Sequence, residues 1–174
     1  GDITIFEQQL SKMVRWLASF KLPTYVVHGN HETASDLLRE CERHINLHFV
    51  HGQIIEHKTG KKNNEMCTVV GWGGGGFSNK DKMFEKFVEV NKKELATKKN
   101  LVLVTHAPPA NTILDESYYD NHHYGCISFT DFVKSNKNVK LLVCGHFHEN
   151  KGKQGLLGSA RIINPGPAGM VVEL

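Results

Sequence analysis

Proline and tryptophan are scarce, five and two residues in 174, and no apolar run approaches the roughly 18 residues that a membrane-spanning helix needs. No membrane span is expected. Charge of either sign is also in short supply as an excess: 21 basic residues against 18 acidic ones leave +3. That is too mild for the electrostatic footprint of a nucleic-acid binder, so nucleic acid is not an expected partner. The lysine clusters "KTGKKNN" and "KKELATKKN" read as solvated faces at a turn and a helix end. Cysteine is limited to Cys41, Cys67, Cys126 and Cys144, no two of them spaced as Cys-x-x-Cys. A zinc ribbon and a redox pair are thereby excluded, and four single, core-type thiols fit a reducing, cytoplasmic setting. No repeat, linker or compositional break divides residues 1–174, so one domain is expected, with 40% hydrophobic residues to build its core.

Hydrophobic periodicity places the elements. "IFEQQLSKMVRWLASF" predicts a helix with Phe6, Leu10, Met13, Val14, Leu17 and Phe20 on one face, ended by Leu22-Pro23. "TYVVH" is a short strand, and "ASDLLRECERH" a second amphipathic helix. The stretch from Ile45 to Gly74 predicts strands around a polar turn, and "KDKMFEKFVEVNKKELATKK" one long helix with Met83, Phe84, Phe87, Val88 and Val90 toward a core. "LVLVTH" is an apolar strand, followed by a loop of about 20 residues, 107–126, long enough to suggest function. A short helix with Ser128 as its cap, the strand "VKLLVCGHFH", and two last strands around "NPGP" complete an α/β chain.

Three of these strands run into polar clusters at their carboxyl ends: "VVHGNHE", "LVTHAPP" and "VCGHFH". Ligands of α/β sheets bind outside those ends, which gathers Asn30, His31, His106, His146 and His148. The opening Gly1-Asp2 is a fourth such pair, although no strand precedes it. Imidazoles, a carboxylate and an amide oxygen suit borderline divalent metals. His146 and His148, one residue apart, share a face if the strand is regular. A carboxylate such as Asp2 can bridge two cations, and two cations about 3.5–4 Å apart can hold a hydroxide and clamp a phosphoryl group. His31, beside Asn30, is placed to donate a proton to a leaving group. His44, His48, His51 and His57 read as ordinary surface or core histidines, whereas His28, His122 and His123 are candidates to line or overhang the site.

"GWGGGGFS" formally matches the dinucleotide fingerprint through Gly71, Gly73 and Gly76, but the next strand ends on His106 where that fold needs an acidic residue. No Gly-Lys-Ser/Thr occurs, so a phosphate-binding P-loop fails as well. The glycines read as a tight turn passing close to the site. Trp72 or Phe77 either forms a wall there or packs in the core.

The ordered set Gly1-Asp2, Gly29-Asn30-His31-Glu32, Thr105-His106 and Gly145-His146-Phe147-His148 resembles the calcineurin-like metallophosphoesterase superfamily across nearly the whole chain, and "NPGP" is similar to a turn of its smaller members. The resemblance implies a four-layer α/β/β/α sandwich with two divalent metals, manganese, iron, zinc or nickel, at the strand ends. Asp2 would bridge them, Asn30, His106 and His146 would complete one metal site, and His148 would belong to the other. His31 would be the proton donor, and Glu32 would orient its neighbours. The family's first motif, Asp-x-His, is absent from the sequence, so the expectation is a sandwich lacking its first strand, with one metal site complete. An exposed sheet edge would then favour self-association. "ITI" follows Gly-Asp where protein phosphatases carry Asp-Arg-Gly, which argues against a protein phosphatase. With no cap domain or long insertion, the chain is similar to compact members that are phosphodiesterases acting on small phosphoesters or nucleotides. The alternative is a non-catalytic interaction module on the same scaffold, similar to the retromer subunit. Retention of His31 favours the enzyme.

Overall fold

In the computed structural model, residues 1–59, 65–76 and 78–173 are described. Lys61 and Lys62 of the first lysine cluster, and Phe77, lie outside them. In chain order the elements are α1 (Leu10–Ala18), β1 (Thr24–Val26), α2 (Ala34–Cys41), β2 (Leu47–Phe49), β3 (Gln53–Thr59), β4 (Glu65–Trp72), α3 (Lys82–Val90), α4 (Lys92–Thr97), β5 (Leu101–Thr105), α5 (Ile127–Ser135), β6 (Val139–Val143), β7 (Gln154–Leu157) and β8 (Ala160–Ile163). The strands form two sheets, β1-β2 and β3-β4-β5-β6-β8-β7. Strands β4, β5, β6 and β8 run parallel, and β3 and β7 close the edges antiparallel.

The near-continuous apolar runs of β5 and β6 follow from burial on both faces of the larger sheet. One face carries Val70, Leu101, Leu103, Leu142 and Ile162 against Phe84, Leu95, Phe129 and Phe132 of α3, α4 and α5. The opposite face presents Cys67, Val102, Leu141 and Ile163, with Met170 and Val172 of the C-terminal segment against it. Helices α1 and α2 pack Leu10, Val14, Leu37 and Cys41 onto Val26 and Leu47 of the small sheet. Two helices thus cover the small sheet and three cover one face of the larger sheet, the layering of an α/β/β/α sandwich. A cleft of about 720 Å³ opens between the halves, lined by Met13, Trp16 and Leu17 of α1 and by Val27, Val104 and Val143. Each fully buried side chain such as Phe84 or Leu142 contributes about 1.5–3 kcal/mol relative to exposure. No helix of the described residues is long and apolar enough to cross a membrane.

Local chemistry sets the helix starts. Thr33 caps α2, its hydroxyl accepting from the Asp36 N–H. Asp81 caps α3 through Oδ1 and accepts the Trp72 indole N–H through Oδ2, which ties α3 to the end of β4. The four cysteines are free and buried, as their isolated apolar settings predict.

Several expectations fail for identifiable reasons. The first helix covers only Leu10–Ala18, because Phe6, Glu7 and Gln9 take left-handed backbone angles; Phe6 and Phe20 lie outside it and are exposed. The long helix breaks at Asn91, whose side chain donates to the Phe87 carbonyl, and Met83 and Val90 face solvent. Ser128 does not cap α5; Cys126 holds that position, and the buried Ser128 hydroxyl instead donates to Glu85 and accepts the Asp81 N–H. Only β8 forms near the C-terminus, paired with β7 through a turn at Gly158, and residues 164–173 form no strand.

Candidate metal centre

Strands β5 and β6 are parallel neighbours, so their carboxyl ends deliver His106 and, three residues past Val143, His146 to one place. From the small sheet, β1 leads through His28 and Gly29 to Asn30. The Asn30 Oδ1 lies 2.8 Å from His106 Nε2 and 3.1 Å from His146 Nδ1, and the two ring nitrogens are 3.2 Å apart. Asp2 completes the set, its Oδ2 3.3 Å from His106 Nε2. Its other oxygen, Oδ1, accepts the backbone N–H groups of Asn30 at 2.8 Å and His31 at 3.0 Å. One carboxylate oxygen is therefore spent on positioning the loop, and the other faces the nitrogens. Both Asp2 (φ 53°) and His146 (φ 66°) hold left-handed backbone angles, which side chains other than glycine adopt at a cost.

Glu32 is the anchor beneath this cluster. It is buried, and its carboxylate accepts four hydrogen bonds: from the N–H groups of Asp2 (2.9 Å), Thr4 (2.7 Å) and Gly29 (3.1 Å), and from the Thr4 hydroxyl (3.0 Å). It orients its neighbours and leaves little capacity for an ion. The glycine run performs the close approach read from its sequence. A Cβ at Gly73 would lie 2.6 Å from the His28 carbonyl oxygen, and one at Gly76 would lie 2.7 Å from His146. Trp72 is buried in the core cluster against Phe84, which settles its role as packing.

The electrostatics suit a cation. Burial opposes the Asp2 charge, but the hydrogen bond and attraction of His106, with the two backbone donors, hold its carboxyl well below the usual carboxylate range. Burial, then the neighbouring His106, lowers His146 to about 4, so its ring is neutral with a lone pair to offer. Two imidazole nitrogens, an amide oxygen and a carboxylate oxygen converge within hydrogen-bond range, and each can turn a lone pair toward a divalent cation held between them. Asp2, His106 and His146 form the group among the described residues with metal-ligand spacing.

The remaining predicted residues divide. His31 is half-buried against Phe6, with rings 4.6 Å apart, and its Nδ1 has no hydrogen-bond partner among the described residues. His148 does not share a strand face with His146, because β6 ends at Val143 and His148 begins a 3₁₀ turn, His148–Asn150. It is exposed and lines the large cleft together with Asp2 and His146. His28 lies behind the site, 4.7 Å from His51, where burial and then His51 lower it to about 4. His123 reaches the buried Asp115 rather than the ion site. Sequence reasoning did not single out Tyr119 and Tyr124 of the long loop, which flank His146 in a second cleft.

The fold has known counterparts. One crystal structure superposes with a TM-score of 0.71 at 22% identity, over 92% of this chain and 64% of its own. A crystal structure described as a candidate 5′-nucleotidase of Staphylococcus aureus, in complex with alpha-ketoglutarate, superposes at 0.51 with 12% identity, over 91% of this chain and 35% of that one. An uncharacterized protein of Methanocaldococcus jannaschii is 33% identical over 89 residues, half of this chain and 38% of its own length. The chain thus spans well under two thirds of the curated relative it matches. The match to the calcineurin-like phosphoesterases runs over residues 1–150, from Asp2 through His148, and the chain belongs to that family.

Proposed function

We propose that the protein hydrolyses phosphodiesters with the help of divalent cations at the strand ends. Asp2, Asn30, His106 and His146 would hold one ion, Asp2 and His148 would contribute to a second, and His31 would protonate the leaving oxygen. The observation that carries this reading is the convergence of two imidazole nitrogens, an amide oxygen and a carboxylate oxygen on one point, the donor set of a borderline divalent cation. A divalent cation bound there supplies Lewis acidity toward the phosphoryl oxygens and toward water. The chain's own part is positional. Asp2 fixes the backbone of His31 at the rim of the cluster, and Phe6 limits the swing of its ring. A proton held on that imidazole passes to the departing alkoxide, a contribution of about 10²–10⁴ in rate.

The leaving group makes the test selective. p-Nitrophenolate departs without protonation, and an alkoxide does not. With Mn²⁺ present, His31→Ala is expected to lower kcat for an alkyl phosphodiester by about 10²–10⁴ and for bis-p-nitrophenyl phosphate far less, with bound metal unchanged. Equal losses on both esters contradict the assignment of His31. Faster turnover of p-nitrophenyl phosphate than of the diester replaces the diesterase reading with a monoesterase one, the activity in the Staphylococcus aureus protein's description. Metal binding without turnover of any ester favours an interaction module. Among the described residues β1 pairs with β2 alone, and we infer that its second edge supports self-association, which sedimentation velocity tests.

A further inference from the structure

The long loop builds a cleft of its own. Ser117, Tyr119 and Tyr124 face His146, Phe147 and Glu149 across a cavity of about 270 Å³. His146 belongs to both this cleft and the candidate metal centre, so the cleft opens directly on the point where a scissile phosphate would sit. Its volume lies just under the roughly 300–1,000 Å³ of pockets for drug-sized ligands, which suits one planar ring system.

The tyrosines are held out to solvent by a built framework. Asp115, fully buried, accepts the N–H groups of Asn111, Thr112 and Gly125 and contacts His123 Nδ1 at 2.8 Å. The Asn150 side chain, at the end of the 3₁₀ turn, donates to the carbonyls of Leu114 and Glu116 and locks the loop onto the His146–Glu149 segment. The Tyr124 hydroxyl donates to Asp120. On this rigid base Tyr119 is 91% exposed, with the large Tyr118 ring beside it at 82%. Aromatic faces kept in water beside a reaction centre are unpaid stacking surface unless a ligand covers them.

We propose that this cleft is a nucleobase subsite, which holds the base of a nucleotide ester while its phosphate lies at the metal centre. Tyr119 supplies the stacking face. Glu149 offers its carboxylate as acceptor to the N–H donors that nucleobases carry on their edges, and the Ser117 hydroxyl, which accepts the Tyr119 N–H at 3.2 Å, holds the stacking residue in place. The inference rests on the phosphoester reading and narrows its substrate class to nucleotides.

The test compares adenosine 5′-methyl phosphate with ribose 5-methyl phosphate, the same ester without its base. The wild-type protein prefers the adenosine ester, through KM. Tyr119→Ala reduces that preference about tenfold, the loss of one stacked base, and Tyr119→Phe retains it. Equal kcat/KM for the two esters in the wild type, or an undiminished preference in Tyr119→Ala, overturns the subsite. If neither ester is hydrolysed, the phosphoester reading fails separately. Calorimetric binding of adenosine monophosphate then decides the subsite, about tenfold weaker binding in Tyr119→Ala supporting it and equal binding refuting it.

Discussion

Replacing Glu32 with alanine removes the acceptor for four donors at once. Three are backbone N–H groups, of Asp2, Thr4 and Gly29, and the fourth is the Thr4 hydroxyl. A buried donor left unpaired costs about 1–3 kcal/mol. The four do not add in full, because they share one carboxylate and one loop. A net loss of about 3–4 kcal/mol follows, a large share of the 5–15 kcal/mol typical of a whole domain. For a chain of this size that lowers Tm by roughly 6–16 °C. Glu32→Gln keeps the shape and one acceptor oxygen but turns an amide N–H₂ toward backbone donors, so its loss falls between wild type and alanine. The same bonds hold Asp2 at its left-handed angle, and loss of such an outer support weakens metal binding about 10–100-fold. Differential scanning fluorimetry with and without Mn²⁺ reads both effects. A Tm within about 2 °C of wild type for both variants, no more than the shift that 1 kcal/mol produces here, refutes the anchoring argument.

Further outcomes follow from the same geometry. Gly73→Ala brings a Cβ within 2.6 Å of the His28 carbonyl and is expected to destabilise by about 1–3 kcal/mol, read as a lower urea midpoint. His28 and His146 titrate near 4 when folded and near 6.5 when unfolded, so the unfolded chain binds more protons between those values. Stability of the metal-free protein therefore falls as pH drops from about 6.5 to 4, and His28→Gln flattens that slope in Tm measured against pH. Trp72→Phe keeps the ring in the core but leaves Asp81 without its indole donor, a loss of about 1 kcal/mol or more in chemical denaturation.

What the sequence made legible were the strands that end in chemistry. In β5 and β6 the apolar runs are long enough to fix strand identity, with His106 directly after β5 and His146 three residues past the end of β6. Asn30, His31 and Glu32 follow a turn whose residue types admit few other readings. Legibility failed where a tertiary contact overrides the local pattern. The α1 periodicity extends to Phe6 and Phe20, but Met13 and Leu17 of that face border a cleft, and nothing in the period marks where burial stops. The break at Asn91 depends on one side-chain bond to Phe87, and Ser128 was drawn from a cap into a network with Glu85. Parity placed His148 with His146 only for a continuing strand; the left-handed turn at His146 cancels the alternation. The tyrosine cleft was invisible because its walls, 117–124 and 146–149, meet through Asn150 and not through sequence proximity.

The central claim is that Asp2, Asn30, His106 and His146 together bind a divalent cation. Titration calorimetry with Mn²⁺ on the wild type and on His106→Ala, both first treated with chelator, tests it most directly. The account predicts saturable binding to the wild type and loss of that site in His106→Ala, with the variant still folded by circular dichroism. Equal affinity and stoichiometry in the two proteins would contradict it.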